Sequence, residues 1–203
     1  MTFDGRLIVP VIVVDDAGKA PAVAEALLAG GISCAEIALR TDAALDAIRR
    51  VSPIEGFTVG AGTVLTAGDV DRAADAGARF IVSPGLAEEV VERSLERGLA
   101  VVPGVATATE IQRAIRLGLE RVKFFPAGPL GGAPAIAALA GPFPQIRFLP
   151  SGGVTAGNAA SYLALPAVFA VSGSWMATRA MIADDSFDEI ERLTRESVER
   201  LVR

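Results

Sequence analysis

The sequence predicts an α/β protein folded as a single (β/α)8 (TIM) barrel over residues 1–203, and three observations carry that expectation. Short apolar, β-branched runs alternate from end to end with Ala-, Leu- and Glu-rich amphipathic segments, the pattern of βα units feeding a parallel sheet. The ends of successive runs lie about 20 to 26 residues apart, room for a strand, a short helix and two loops. No linker or low-complexity stretch divides the chain, and eight such units close a barrel.

The first strand is expected at Leu7–Val14 and is interrupted only by Pro10, which removes a ladder donor and calls for a bulge or a late strand start. A helix over Ala20–Ala29 follows, closed by Gly30-Gly31. The second strand is Cys34–Leu39 and the third Phe57–Thr63, after which a helix over Ala67–Ala76 stops at Gly77. The fourth and fifth strands are Arg79–Ser83 and Leu99–Pro103, and a helix over Thr107–Leu117 then stops at Gly118. Arg121–Phe125, Ile146–Ser151 and Ala167–Ser172 complete the set. The last segment, Ser186–Arg203, spaces Phe187, Ile190, Leu193 and Leu201 as one face of an outer helix.

Composition excludes several classes of function. Of 203 residues, 51% are hydrophobic and the formal charge is -5, with no basic run to track a phosphate backbone, so nucleic acid is not an expected partner. One cysteine, Cys34, forms no internal disulfide, and neither a signal peptide nor a membrane-spanning stretch is read, so the expected compartment is the cytoplasm. There is no histidine, which removes Ser-His triads, imidazole bases and His-ligated zinc.

In a closed barrel, chemistry gathers at the carboxyl ends of the strands. The sequence has only two lysines, Lys19 and Lys123, against many arginines. Lys123 sits in Val122-Lys123-Phe124-Phe125-Pro126, where apolar surroundings disfavour the charged amine and so favour the neutral nucleophile that forms a Schiff base. A salt-bridged structural lysine is the alternative. Glu36 and Arg40 are four apart in a strand and are expected to point together into the interior with Cys34 and Ala38, while Ile37 and Leu39 face the helices. They read either as a proton carrier beside a carboxylate clamp or as a structural ion pair. Ser151-Gly152-Gly153 and Gly173-Ser174 follow the last two strands, where barrels bind phosphate through backbone N–H groups, although such turns also occur for geometry alone. Cys34 reads as a small core residue and Trp175 as packing against the barrel mouth.

Several motifs together are distinctive: Val9-Pro10-Val11-Ile12, Glu36-Ile37-Ala38-Leu39-Arg40-Thr41, Gly60-Ala61-Gly62-Thr63-Val64-Leu65, Ser83-Pro84-Gly85-Leu86, Lys123-Phe124-Phe125-Pro126 and Gly173-Ser174-Trp175. From about residue 6 to residue 176 the chain resembles the bacterial 2-keto-3-deoxy-6-phosphogluconate (KDPG) and 2-keto-4-hydroxyglutarate (KHG) aldolase family. The resemblance implies that Lys123 is the Schiff-base lysine and Glu36 the acid/base residue. It also implies that Arg40 and Thr63 contact the pyruvate end, that Pro84 and Phe125 shape the pocket, and that Ser151, Gly152, Gly153 and Ser174 lie toward the phosphate. A homotrimer of barrels with a small keto-acid substrate, no metal and no cofactor is implied as well. The chain departs from the family pattern at Ser151, where threonine is common, and at Ser172, where glycine is common.

The implied reaction cleaves KDPG to pyruvate and glyceraldehyde 3-phosphate, or 4-hydroxy-2-oxoglutarate to pyruvate and glyoxylate. The same barrel also suits a phosphosugar isomerase or epimerase, a metal-dependent pyruvate aldolase or a non-catalytic metabolite-binding protein.

Overall fold

The computed structural model describes residue 5 and residues 7–202. Residues 1–4, residue 6 and Arg203, which fall within the expected domain, lie outside the described residues, Arg203 being also the end of the expected last helix. The strands are β1 (Ile8–Ile12), β2 (Cys34–Ala38), β3 (Thr58–Gly62), β4 (Phe80–Val82), β5 (Ala100–Val102), β6 (Gly104–Val105), β7 (Arg121–Phe124), β8 (Arg147–Pro150) and β9 (Val171–Gly173). The helices are α1 (Ala20–Ala29), α2 (Ala44–Val51), α3 (Ala67–Asp75), α4 (Glu88–Glu96), α5 (Ala108–Arg116), α6 (Gly132–Ala140), α7 (Ala159–Leu163), α8 (Arg179–Ala183) and α9 (Phe187–Val202). All strand pairings among these elements are parallel. They form a curled six-stranded sheet in the order β5-β4-β3-β2-β1-β9 and a three-stranded sheet in the order β6-β7-β8.

Three strands differ from their expected outlines, each because of backbone geometry. Pro10 lies inside β1 with neither expected device: pairing passes from β9 at Ile8 to Pro10 over to β2 at Val11 and Ile12, and the strand continues through the changeover. The expected fifth strand ends at Val102, just before Pro103, and beyond the proline an additional short strand follows, so that β5 pairs with β4 while β6 pairs with β7. The expected eighth strand starts late, at Val171, and Val168 contributes only a single bridge to Phe148. The helix stops fall at the expected glycines: Gly31, Gly77 and Gly118 all have positive φ just beyond α1, α3 and α5. At their other ends α3 and α5 are fixed by capping boxes, Thr66 with Asp69 and Thr107 with Glu110.

Side chains alternate along the strands, and the alternation separates two layers of core. Ile8, Ile12, Ala35, Ile37, Ile81, Val122, Phe124 and Phe148 turn outward into the main hydrophobic layer beneath the helices. Val9, Cys34, Phe80, Val82, Val102, Leu149 and Ala170 turn the opposite way and fill a second, enclosed cluster. In β3 two inward positions, 60 and 62, are glycines. A Cβ on Gly60 would come within 2.3 Å of the Phe80 ring, so the glycine leaves room for that ring to fill the interior.

Candidate active site

Above the enclosed cluster the inward positions become polar. Glu36 is the next inward residue of β2 after Cys34, and it is 1% exposed. Its space comes from Gly62 of β3, where a Cβ would lie 2.3 Å from Glu36 Oε2. Any larger residue at position 62 would displace the carboxylate. Lys123 projects from β7 and is 7% exposed, with Nζ 3.5 Å from Glu36 Oε1 and 5.3 Å from the centre of the Phe125 ring. Ser172 on β9 is fully buried and donates its hydroxyl to the same Oε1 at 3.2 Å. One carboxylate oxygen thus faces two donors brought in from β7 and β9. The other lysine is engaged elsewhere: Lys19 Nζ caps α8 through Ala183 O and pairs with Asp185, each at 2.7 Å.

A cavity of about 390 Å³ opens over Lys123 at the carboxyl ends of the strands. Arg40, Thr63 and Pro84 form one side of it, from the segments after β2, β3 and β4. Phe125, Ser151, Gly152, Gly153 and Ser174 form the other, from the segments after β7, β8 and β9. The cavity wall therefore includes every residue expected to act on or bind substrate except Glu36, which contacts Lys123 Nζ from β2. Val11, Val154 and Gly173 complete the lining. Val11 was legible in principle, being two residues beyond the inward-facing Val9, whereas Val154 is placed by the turn after β8 and carries no sequence signal.

The expectation that Arg40 enters the interior beside Glu36 is corrected. The strand ends at Ala38, so alternation no longer governs residue 40, and Arg40 is exposed at the rim. Its Nε donates to Thr63 Oγ1 at 3.2 Å, and among the described residues no ion pair joins it to Glu36. Thr63 has φ of +58°, which is unusual for a β-branched residue and is backbone strain held at the cavity wall. Trp175 packs against Gly173, which lines the cavity. Its ring covers Gly173, where a Cβ would lie 2.3 Å away, and its Nε1 donates to Ser197 of α9 at 2.9 Å.

The glycine turn after β8 is built into its surroundings. Gly152 and Gly153 have φ of +84° and +80°. The N–H groups of Ala127 and Gly128 donate to the carbonyls of Ser151 and Gly152, both at 2.8 Å, pinning the segment after β7 onto this turn. Asn158 closes it from below, donating to Gly153 O at 2.9 Å and accepting from Thr155 N at 2.8 Å. After β1, Asp15 accepts from Arg179 of α8 at 2.6 Å, and this hydrogen bond holds the Asp15 carboxyl below its ordinary range.

Chemically, the arrangement offers an amine and a carboxylate side by side, shielded from water, beneath a cavity with a guanidinium at its rim. An amine so placed can add to a carbonyl, the carboxylate can move protons, and the guanidinium can hold an anionic substituent.

Comparison with known proteins points the same way. A family model described as KDPG and KHG aldolase matches residues 3–193. The chain is 45% identical over 194 residues to the 2-dehydro-3-deoxy-phosphogluconate aldolase of Pseudomonas aeruginosa, spanning 95% of this chain and 88% of that protein. It is 42% identical over 193 residues to the KHG/KDPG aldolase of Escherichia coli, spanning 95% and 91%. A crystal structure of KDPG aldolase from Legionella pneumophila, with pyruvate captured at low pH as a covalent carbinolamine intermediate, superposes with a TM-score of 0.93 at 36% identity, covering 97% of this chain and 96% of that one.

Proposed function

Because the chain belongs to the KDPG and KHG aldolase family, we propose that it is a carbon–carbon lyase that cleaves 2-keto-3-deoxy-6-phosphogluconate to pyruvate and glyceraldehyde 3-phosphate through a Schiff base on Lys123. The observation that carries the residue assignment is the buried Lys123–Glu36 pair under a cavity rimmed by Arg40. The same chemistry extends to 4-hydroxy-2-oxoglutarate, with glyoxylate as the aldehyde.

Glu36 accepts a proton from Lys123, and the neutral amine attacks C2 of the keto acid to give a carbinolamine. Protonated Glu36 delivers its proton to the C2 hydroxyl, water leaves, and a protonated imine remains. The imine then serves as an electron sink. Glu36 takes the C4 hydroxyl proton, the C3–C4 electron pair moves into the imine, and the aldehyde departs from an enamine of pyruvate. The proton returns to C3, and hydrolysis releases pyruvate and restores the amine. Arg40 and Thr63 hold the substrate carboxylate, Pro84 and Phe125 bound the pyruvyl group, and Ser151, Gly152, Gly153 and Ser174 receive the phosphate.

The two sheets are read as one closed eightfold (β/α) barrel forming a single domain. Support comes from the bridges Phe148 to Val168 and Ser151 to Ser172, which carry β8 to β9, and from β5 running into β6 across Pro103. An inner cluster drawing on β1, β2, β4, β5 and β8 supports it further. A homotrimer in the cytoplasm, needing neither metal nor cofactor, belongs to the same proposal.

The test is cleavage of the phosphorylated substrate with pyruvate measured as product, wild type against Lys123→Arg. Pyruvate release by the wild type and none by the variant supports the proposal; equal release overturns the lysine assignment.

A further inference from the structure

We propose that Ser172 is a positioning residue for the proton carrier, holding the Glu36 carboxylate at the distance from Lys123 that turnover requires. The inference rests on the proposed roles of Glu36 and Lys123. Three facts lead to it. The Ser172 hydroxyl is fully buried and donates to Glu36 Oε1 at 3.2 Å. Lys123 Nζ approaches that same oxygen only to 3.5 Å, longer than a charge-assisted N–H···O bond ordinarily runs. On the far side, Gly62 leaves space against Oε2, so the glycine admits the carboxylate without fixing it.

Ser172 is therefore the donor that anchors the carboxylate independently of the lysine. Its own place is fixed by the backbone, since it pairs with Val9 of β1 and bridges to Ser151. With the hydroxyl present, Glu36 has a partner at every stage of the reaction, including the carbinolamine and the enamine, in which the Lys123 nitrogen is bonded to substrate and carries no charge. Without it, the carboxylate has Lys123 as its one hydrogen-bonding side chain among the described residues. It then closes on the lysine nitrogen in the free enzyme and loses its orientation in the neutral carbinolamine and enamine. Proton transfer suffers, and substrate binding, which uses the cavity rim, does not.

The experiment compares Ser172→Ala and Ser172→Cys with wild type in steady-state cleavage, in exchange of the pyruvate methyl protons with deuterated water, and in thermal unfolding. Cysteine keeps a weak donor in similar volume and safeguards the test if the alanine variant folds poorly. Expected for Ser172→Ala is a fall of about tenfold in kcat and in methyl exchange, KM within about twofold of wild type, and an intermediate rate for cysteine. In a Glu36→Gln background the alanine substitution should change neither rate further. Three results overturn the inference: wild-type kcat with a lowered melting temperature alone, a raised KM with kcat unchanged, or an undiminished effect in the Glu36→Gln background. Full turnover by Glu36→Gln itself would instead remove the parent assignment, and the two failures are distinguishable because each has its own variant.

Discussion

Glu36 Oε1 lies 3.5 Å from Lys123 Nζ, and the two residues are 1% and 7% exposed. Burying both charges costs several kcal/mol of lost hydration per ion, at least partly offset by their attraction. Such a pair is a poor device for stability, and under the proposed function its place beneath an open cavity serves the chemistry.

That reasoning predicts opposite outcomes for stability and activity. Lys123→Met alone leaves the buried carboxylate without a counter-charge, with the Ser172 hydroxyl still beside it, and should destabilise by about 3–5 kcal/mol. Glu36→Leu with Lys123→Met should recover most of that loss or exceed wild-type stability, while remaining inactive. Chemical denaturation of the three proteins checks this; a double variant no more stable than the single one contradicts it.

Glu36→Gln keeps shape and hydrogen bonding but cannot exchange a proton, so turnover should fall by about 10²- to 10⁴-fold with pyruvate binding changed much less. Arg40→Ala should instead raise the pyruvate concentration needed for adduct formation, because it removes a charge-assisted contact at the rim. Steady-state kinetics with pyruvate titrations separate the two. Near wild-type turnover by Glu36→Gln would leave Glu36 only a structural partner.

Thr63 is held at φ +58° with its hydroxyl accepting from Arg40. Glycine tolerates that conformation, so Thr63→Gly should stay within about 1 kcal/mol of wild-type stability, relief of strain offsetting the more flexible unfolded chain. Pyruvate should bind about tenfold more weakly, since the hydroxyl that orients the guanidinium is gone. Unchanged affinity would mean that the strain has no part in binding.

Much of this site could be read from the chain alone, and the parts that could not are those set by tertiary contact. Lysine scarcity singles out Lys123, and period-two alternation turns Glu36 inward with Cys34. The same rule misplaced Arg40, because it holds only while the strand lasts and β2 stops at Ala38. The partner of Glu36 is 87 residues away in sequence, on β7, not four residues along its own strand. The Ser172 bond and the space over Gly62 have no local pattern, since each exists only once β9 and β3 lie beside β2 or across from it. Pro103 marked a strand end, yet its effect of handing the chain from one sheet to the other depends on the neighbours β4 and β7.

Gly153, at φ +80°, would place a Cβ 3.2 Å from Gly128 Cα. Gly153→Val should therefore strain the turn after β8 and push on the segment pinned to it, without touching Lys123. Cleavage of the phosphorylated substrate should fall far more than cleavage of 4-hydroxy-2-oxoglutarate, as kcat/KM for both will reveal. Equal losses would place the phosphate elsewhere.

The central claim is that Lys123 is the amine that bonds to substrate, and the most direct measurement is incubation with pyruvate and borohydride followed by mass spectrometry of the intact chain and its peptides. The account predicts one reduced pyruvyl adduct, located on Lys123, with Lys19 left unmodified in its contacts with Ala183 and Asp185. No adduct, or an adduct confined to Lys19, would contradict it.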